Sequence, residues 1–209
     1  VYEDSRGEIT KAKILLFSNL RGIPCTYTVE IVPGFEEGAY VGPEFVEQPT
    51  YDAATSTWTV TNAKELAWVA ASVNGTIGVQ TKAGSMSKNF HKETIVLAND
   101  IDLQGAEWEP IGNEGHAFAG TFDGQEHTVS NFKVTEKAGW AGLFGRVQVG
   151  TVNNLNVKNV TIEANHYAGA IVGQGYVYMD NCHAENVNIT VTIDRDADGG
   201  KGDYGDKAG

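Results

Sequence analysis

Apolar and polar residues alternate in short runs along the second half of the chain: Asp100-Ile101-Asp102-Leu103, Asn131-Phe132-Lys133-Val134, Asn154-Leu155-Asn156-Val157 and Asn181-Cys182-His183-Ala184. Alternation with a period of two predicts strands that bury one face. The runs recur at steps of 31, 23 and 27 residues, and at the last offset the whole of 154–162 maps onto 181–189, apolar on apolar and Asn on Asn. A second pattern has the same spacing: Gly139-Trp140-Ala141-Gly142-Leu143-Phe144-Gly145 returns as Tyr167-Ala168-Gly169-Ala170-Ile171-Val172-Gly173 and opens again at Lys207-Ala208-Gly209. Fixed periods of roughly 20–50 residues mark solenoids and arrays.

Strands repeating at this interval with no helix between them bury their apolar faces by stacking in parallel, so an all-β, right-handed parallel β-helix is predicted. In the frame of the four runs, Ile101, Phe132, Leu155 and Cys182 form one interior column, and Leu103, Val134, Val157 and Ala184 form another. Asp100, Asn131, Asn154 and Asn181 form a third, at the bends, where short polar side chains bond neighbouring coils.

Upstream, 9–17 and 26–32 read as a β-hairpin, and the Gly- and Pro-containing stretch 34–50 as a connection. Residues 57–60 form a short strand. Asn62, three residues before Glu65, then starts a helix over 63–73 whose Leu66, Val69, Ala70 and Val73 share a face. Such a helix closes the otherwise open N-terminal end of the solenoid; Trp68 either extends this cap or lies exposed. The expected division is 1–50, a hairpin segment and connection that either pairs with the end of the solenoid or is the tail of an upstream β-sandwich, and 51–209, the β-helix. Because the last three residues open a further repeat, the chain is read as an excerpt of a longer mature protein.

A net charge of −12, from 27 acidic and 15 basic side chains without a basic cluster, argues against nucleic acid and against anionic membrane surfaces. Apolar runs are too short for a membrane-spanning helix, so direct membrane insertion is not expected. The two cysteines, Cys25 in the hairpin and Cys182 in a core column, are read as separate thiols.

The run from Asn99 to Gly145 holds Asp100-Ile101-Asp102-Leu103, Trp108-Glu109-Pro110-Ile111-Gly112, Phe122-Asp123-Gly124-Gln125 and Ala141-Gly142-Leu143-Phe144-Gly145 in order. This set resembles the GLUG-repeat β-helix proteins found on bacterial surfaces, in Bacteroides-type adhesin-like proteins and beside the catalytic domains of immunoglobulin-A zinc peptidases. The resemblance covers about 57–209. The copy at 169–173 departs from it by Ala170 and one inserted residue. It implies an extracellular or cell-surface location, with anchoring outside this chain, and a non-enzymatic role in adhesion to a glycan or to a host or bacterial surface protein.

The residues themselves offer little catalytic chemistry. None of the five His has the partner spacing of a zinc-protease helix, and no Gly-x-Ser-x-Gly elbow occurs. Asp100 and Asp102 are the best-spaced carboxylates, with a ladder or turn role the simpler account. His183 reads as a surface histidine. Trp108, Trp140, Tyr167, Tyr176 and Tyr178 cluster near the coil openings, where they offer rings for stacking on sugars, with core and corner packing the preferred account; Tyr176 and Tyr178, alternating with Val177 and Met179, are expected to face outward as a ligand face. Asp194, Asp196 and Asp198, followed by Gly199, have the spacing of the first half of a calcium loop, with Asp203 or Asp206 in place of the final Glu. A solvated acidic loop is the preferred account and calcium the alternative; no other cofactor is expected. A second functional class stays open: an accessory domain of, or remnant from, a carbohydrate-active enzyme or surface peptidase. Acidic side chains converging in one groove would favour it.

Overall fold

The structure, a computed structural model, describes residues 46–76 and 88–192, apart from the side chains of 136–138. It also gives the backbone of the strands at 2–3, 9–17, 24–30, 79–81, 84–86 and 207–208. The chain divides into two compact units, Val1–Glu37 and Gly38–Gly209. In the first, β1 (Tyr2–Glu3), β2 (Ile9–Phe17) and β3 (Pro24–Glu30) form an antiparallel sheet in that order. The expected hairpin is β2 and β3, paired from Lys11 with Glu30 to Phe17 with Pro24.

Among the described residues, the second unit is a parallel β-helix with one α-helix. Its elements are β4 (Thr50–Asp52), β5 (Thr57–Val60), α1 (Ala63–Asn74), β6 (Val79–Thr81), β7 (Gly84–Met86), β8 (Thr94–Leu97), β9 (Ile101–Glu107), β10 (Thr121–Asp123), β11 (Thr128–Ala141), β12 (Phe144–Asn153), β13 (Asn156–Ala168), β14 (Val172–Asp180), β15 (His183–Val191) and β16 (Lys207–Ala208). Successive strands alternate between two sheets: one runs β14-β12-β10-β8-β5-β4, the other β15-β13-β11-β9, with β16 also pairing with β13. All of these pairings are parallel except β4 with β5; β6 and β7 form a separate antiparallel pair.

The register corrects the predicted columns. Ile101 pairs with Val129, Val129 with Val157 and Val157 with Ala184, so the steps between coils are 28, 28 and 27 residues. Phe132 stacks on Val160 rather than Leu155, and Val134 on Ile162. Leu103 lies where β9 makes room for Gln104 and Gly105, both at positive φ. The frame of 154–162 on 181–189 holds: Val157 pairs with Ala184, and the Cys182-His183 corner follows Leu155, whose carbonyl accepts from the His183 amide.

The bends show why the frame slipped at the second coil. Each later coil carries two Asn residues five apart, 154 and 159, then 181 and 186, all with φ between 50° and 57°. Asn tolerates this left-handed conformation better than most residues. Two ladders result, not one. In one, Asn181 donates to Asn154 and Asn154 to Asp123, both at 3.0 Å. In the other, Asn186 donates to Asn159, Asn159 to Asn131 and Asn131 to Asp102, at 2.7, 2.8 and 2.8 Å. Asn131 therefore belongs with Asn159, and the sequence pattern had matched it to Asn154. Asp100 stands in neither ladder; it accepts from the Thr128 amide at 2.9 Å and faces His127 Nδ1 at 3.0 Å.

Helix α1 begins at the expected cap, where Asn62 Oδ1 accepts from the amides of Lys64 and Glu65. Glu65 reaches one residue further back than expected, to the amide and hydroxyl of Thr61. The helix ends at Gly75 in the left-handed conformation. Leu66, Val69, Ala70 and Val73 are buried in the solenoid core, and Trp68 joins the cap, 5.1 Å from the Trp58 ring. An aromatic row continues inward through Phe90, Phe118, Phe144 and Phe122, each ring 5.2 to 6.1 Å from the next.

At the other end the core thins. Val157 and Ile162 of β13 are fully buried, whereas Val187, Ile189 and Val191 of β15 are only partly so. Among the described strands, β14 and β15 are the last in their sheets. On β13, however, Tyr167 and Ala168 pair with Lys207 and Ala208 in the register that Trp140 and Ala141 take on the coil before.

Candidate functional site

Glycine permits the closest approach between coils. A Cβ on Gly142 would stand 2.5 Å from the Gly169 carbonyl oxygen, and one on Gly145 would stand 2.4 Å from that of Gly112. The Ala-Gly-Leu-Phe-Gly corner thus brings the 109–112 segment hard against the next coil, with the Ile111 amide donating to the Leu143 carbonyl and the Gly145 amide to that of Ile111. Trp108 lies in the core beneath this corner, its indole N–H on the Leu143 carbonyl at 3.0 Å. It presents no surface for a ligand.

Asn74, at the end of α1, locks the same segment from the other side. Its amide donates to Glu109 Oε1 and to the Pro110 carbonyl, both at 3.0 Å, and its Oδ1 accepts from the Gly112 amide at 2.9 Å. The following loop is closed by Asn113, whose Oδ1 accepts from the amides of Gly115 and His116. Between this loop and the corners of two coils lies a groove of about 830 Å³, with Glu109, Glu114 and Asn113 on one side and Trp140, His166 and Tyr167 on the other. Trp140 and Tyr167 are register partners on successive coils. Arg146 braces the rim: its guanidinium lies 5.6 Å from the Trp140 ring centre and donates to the Glu114 carbonyl at 2.5 Å.

The tyrosines expected to face outward do so. Tyr176 is 81% and Tyr178 66% exposed. Gln148 pairs with Tyr176 and Thr151 with Tyr178; Val149, 80% exposed, sits in the bulge between them. These side chains form a mixed apolar and hydroxylated patch on the outer surface of the β12-β14 sheet.

The remaining candidates part company. Asp102 is the end rung of a ladder and also accepts from the Gln104 amide. Asp100 is held below the ordinary carboxylate range, first by the Thr128 amide and then by His127. His183 is exposed at the corner before β15. Cys182 is a free, half-buried thiol that donates to the carbonyls of Val152 and Asp180, and burial pushes its pKa up. The calcium candidates Asp194, Asp196, Asp198, Asp203 and Asp206 lie outside the described residues, as does the side chain of Cys25. Among the described residues no three His, Cys, Asp or Glu side chains group as metal ligands, and no helix is long and apolar enough to cross a membrane.

As a groove the site escaped sequence reasoning, because its walls come from residues 74, 109–114, 139–140 and 166–167, of which only the aromatics Trp140 and Tyr167 stood out in the sequence. One signal was present: Trp140 and Tyr167 occupy the same place in successive corner motifs.

No protein-family model matches the chain, and no solved structure matches it. Two curated proteins are similar to part of it. Halomucin of Haloquadratum walsbyi is 42% identical over 106 residues, 45% of this chain and 1% of that protein. A protein of Evansella cellulosilytica named as a Gly-rich membrane protein is 34% identical over 100 residues, 43% of this chain and 12% of that protein. The chain therefore matches only a small part of the length of either relative.

Proposed function

We propose that this chain is a non-enzymatic cell-surface β-helix module of the GLUG-repeat type, which binds a glycan or a host or bacterial surface protein through the outer face carrying Tyr176 and Tyr178. The observation that carries this reading is the exposure of the two tyrosines side by side with Val149. Large side chains left mostly exposed next to one another are characteristic of contact surfaces, where tyrosine combines apolar area with a hydroxyl at little entropic cost. The net charge of −12 disfavours nucleic acid as the partner. A surface location, with anchoring outside this chain, draws support from the name of the Evansella relative as a membrane protein.

An accessory domain or remnant of a carbohydrate-active enzyme is favoured by a different observation, the presence of Glu109, Glu114 and His166 in one groove. Glycan and surface-protein arrays probed with the chain and with its Tyr176→Ala, Tyr178→Ala double variant test the first reading. Binding by the parent chain that falls by about tenfold or more in the variant supports it. The tyrosine face is refuted if every ligand the parent chain binds, glycan or protein, is bound equally by the variant and none is lost.

A further inference from the structure

We infer that the groove between the 109–114 loop and the corners at 139–140 and 166–167 is a binding site for an uncharged sugar residue of a glycan. This goes beyond the tyrosine face, whose exposed side chains lie on the outer surface of a sheet. A concave site of about 830 Å³ has the size of a small-ligand pocket, commonly about 300–1,000 Å³.

Its two sides differ in chemistry. Trp140 and Tyr167 stand one strand spacing apart, about 4.8 Å along the stack, and offer aromatic surface for the C–H face of a pyranose. Arg146, donating to the Glu114 carbonyl oxygen, packs against the indole and fixes it before any ligand arrives. Across from them, Asn74 clamps Glu109 through Oε1, which leaves Oε2 to accept hydroxyl protons. Among the described residues no cation pairs with Glu109 or Glu114.

A ligand that fits must be apolar on one face and rich in hydroxyl donors on its edge, as a pyranose is. Glu109 and Glu114, neither ion-paired among the described residues, outnumber the one guanidinium at the rim, Arg146, and in a chain carrying −12 they repel carboxylated or sulfated sugars, so the site selects against uronic and sialic acids. Asn113 adds little discrimination, because its Oδ1 is spent on closing its own loop.

The test is titration calorimetry, with tryptophan fluorescence in parallel, of the full chain against cellotriose, chitotriose and maltotriose on one side and trigalacturonate and 3′-sialyllactose on the other. Saturable binding of at least one neutral trisaccharide is expected, without binding of either acidic one. Trp140→Ala should weaken it by about tenfold or more, and the surface change Glu114→Gln should weaken it while admitting the acidic sugars. Tyr176→Ala, Tyr178→Ala should leave it unchanged, which separates this site from the proposed function. No neutral trisaccharide bound at about 10 mM, equal binding of the acidic sugars, or Glu114→Gln and Trp140→Ala proteins that bind like the parent would each overturn the inference. Release of new reducing ends from a bound trisaccharide would leave the ligand class standing and refute the non-enzymatic reading instead.

Discussion

Asn131 donates its side-chain amide to the Asp102 carboxylate at 2.8 Å, and the same bond is repeated one coil later from Asn159 to Asn131 and again from Asn186 to Asn159. Every rung gives its N–H to the coil before it, and both ladders end at an aspartate, Asp102 or Asp123. A carboxylate suits this terminal place because it only accepts, so no amide donor is left without a partner there.

Asn159→Ala removes two rungs and puts a Cβ-bearing residue without a polar side chain at φ 57°. It should cost about 2–3 kcal/mol in urea unfolding. Asn159→Gly keeps the conformation accessible and should be less damaging by about 1 kcal/mol. Equal losses for the two would mean that the left-handed bend contributes nothing.

Gly142→Ala sets a methyl 2.5 Å from the Gly169 carbonyl. The coils must part or tilt, at a cost of at least about 2 kcal/mol. Leu155→Ala, a cavity rather than a clash, should cost roughly 2–5 kcal/mol. Denaturant midpoints measured side by side check both.

Asp100 has its pKa lowered, chiefly by the Thr128 amide and next by His127. A lowered folded-state value stabilises the fold above the unfolded pKa, and that contribution disappears as pH falls through the folded one. Asp100→Asn keeps an acceptor for Thr128 but loses the charge. It should destabilise by no more than about 0.5 kcal/mol at neutral pH, since the site is exposed, and the difference from the parent should vanish in acid. A gap that widens on acidification would contradict this assignment.

Burial raises the pKa of the Cys182 thiol, so less thiolate is present at any given pH than in the unfolded chain. Its reaction with an aromatic disulfide reagent should be slow near neutrality, with a pH profile displaced to the alkaline side of that in denaturant. Coincident profiles would place the thiol in open solvent.

Calcium at millimolar concentration should give the same heats with the parent chain and with the Asp196→Asn, Asp198→Asn variant, as a solvated acidic loop does. A saturable heat present only in the parent would establish a calcium loop at 194–206.

The parallel stack was legible because burying one face leaves a period of two, and stacking leaves a fixed offset, as between Val157 and Ala184. The misplacement of Phe132 had a physical cause: Asn131 and Asn154 look alike in sequence because both occupy left-handed bends, yet they serve different ladders. Tyr176 and Tyr178 could be read from their alternation with Val177 and Met179. The groove could not, since Asn74 and His166 are brought together by stacking alone.

The helical lid at one end and the one-directional amide bonds make the solenoid a ruler. Because each coil bonds only to its neighbours, adding or removing one between α1 and β14 changes distance without changing chemistry, so long as it carries two Asn residues five apart. Each such unit shifts Tyr176 and Tyr178 by one strand spacing, about 4.8 Å, relative to the lid. How far the tyrosines are held from the start of the stack is then a matter of counting coils, a quantity that duplication within the chain can adjust in whole steps.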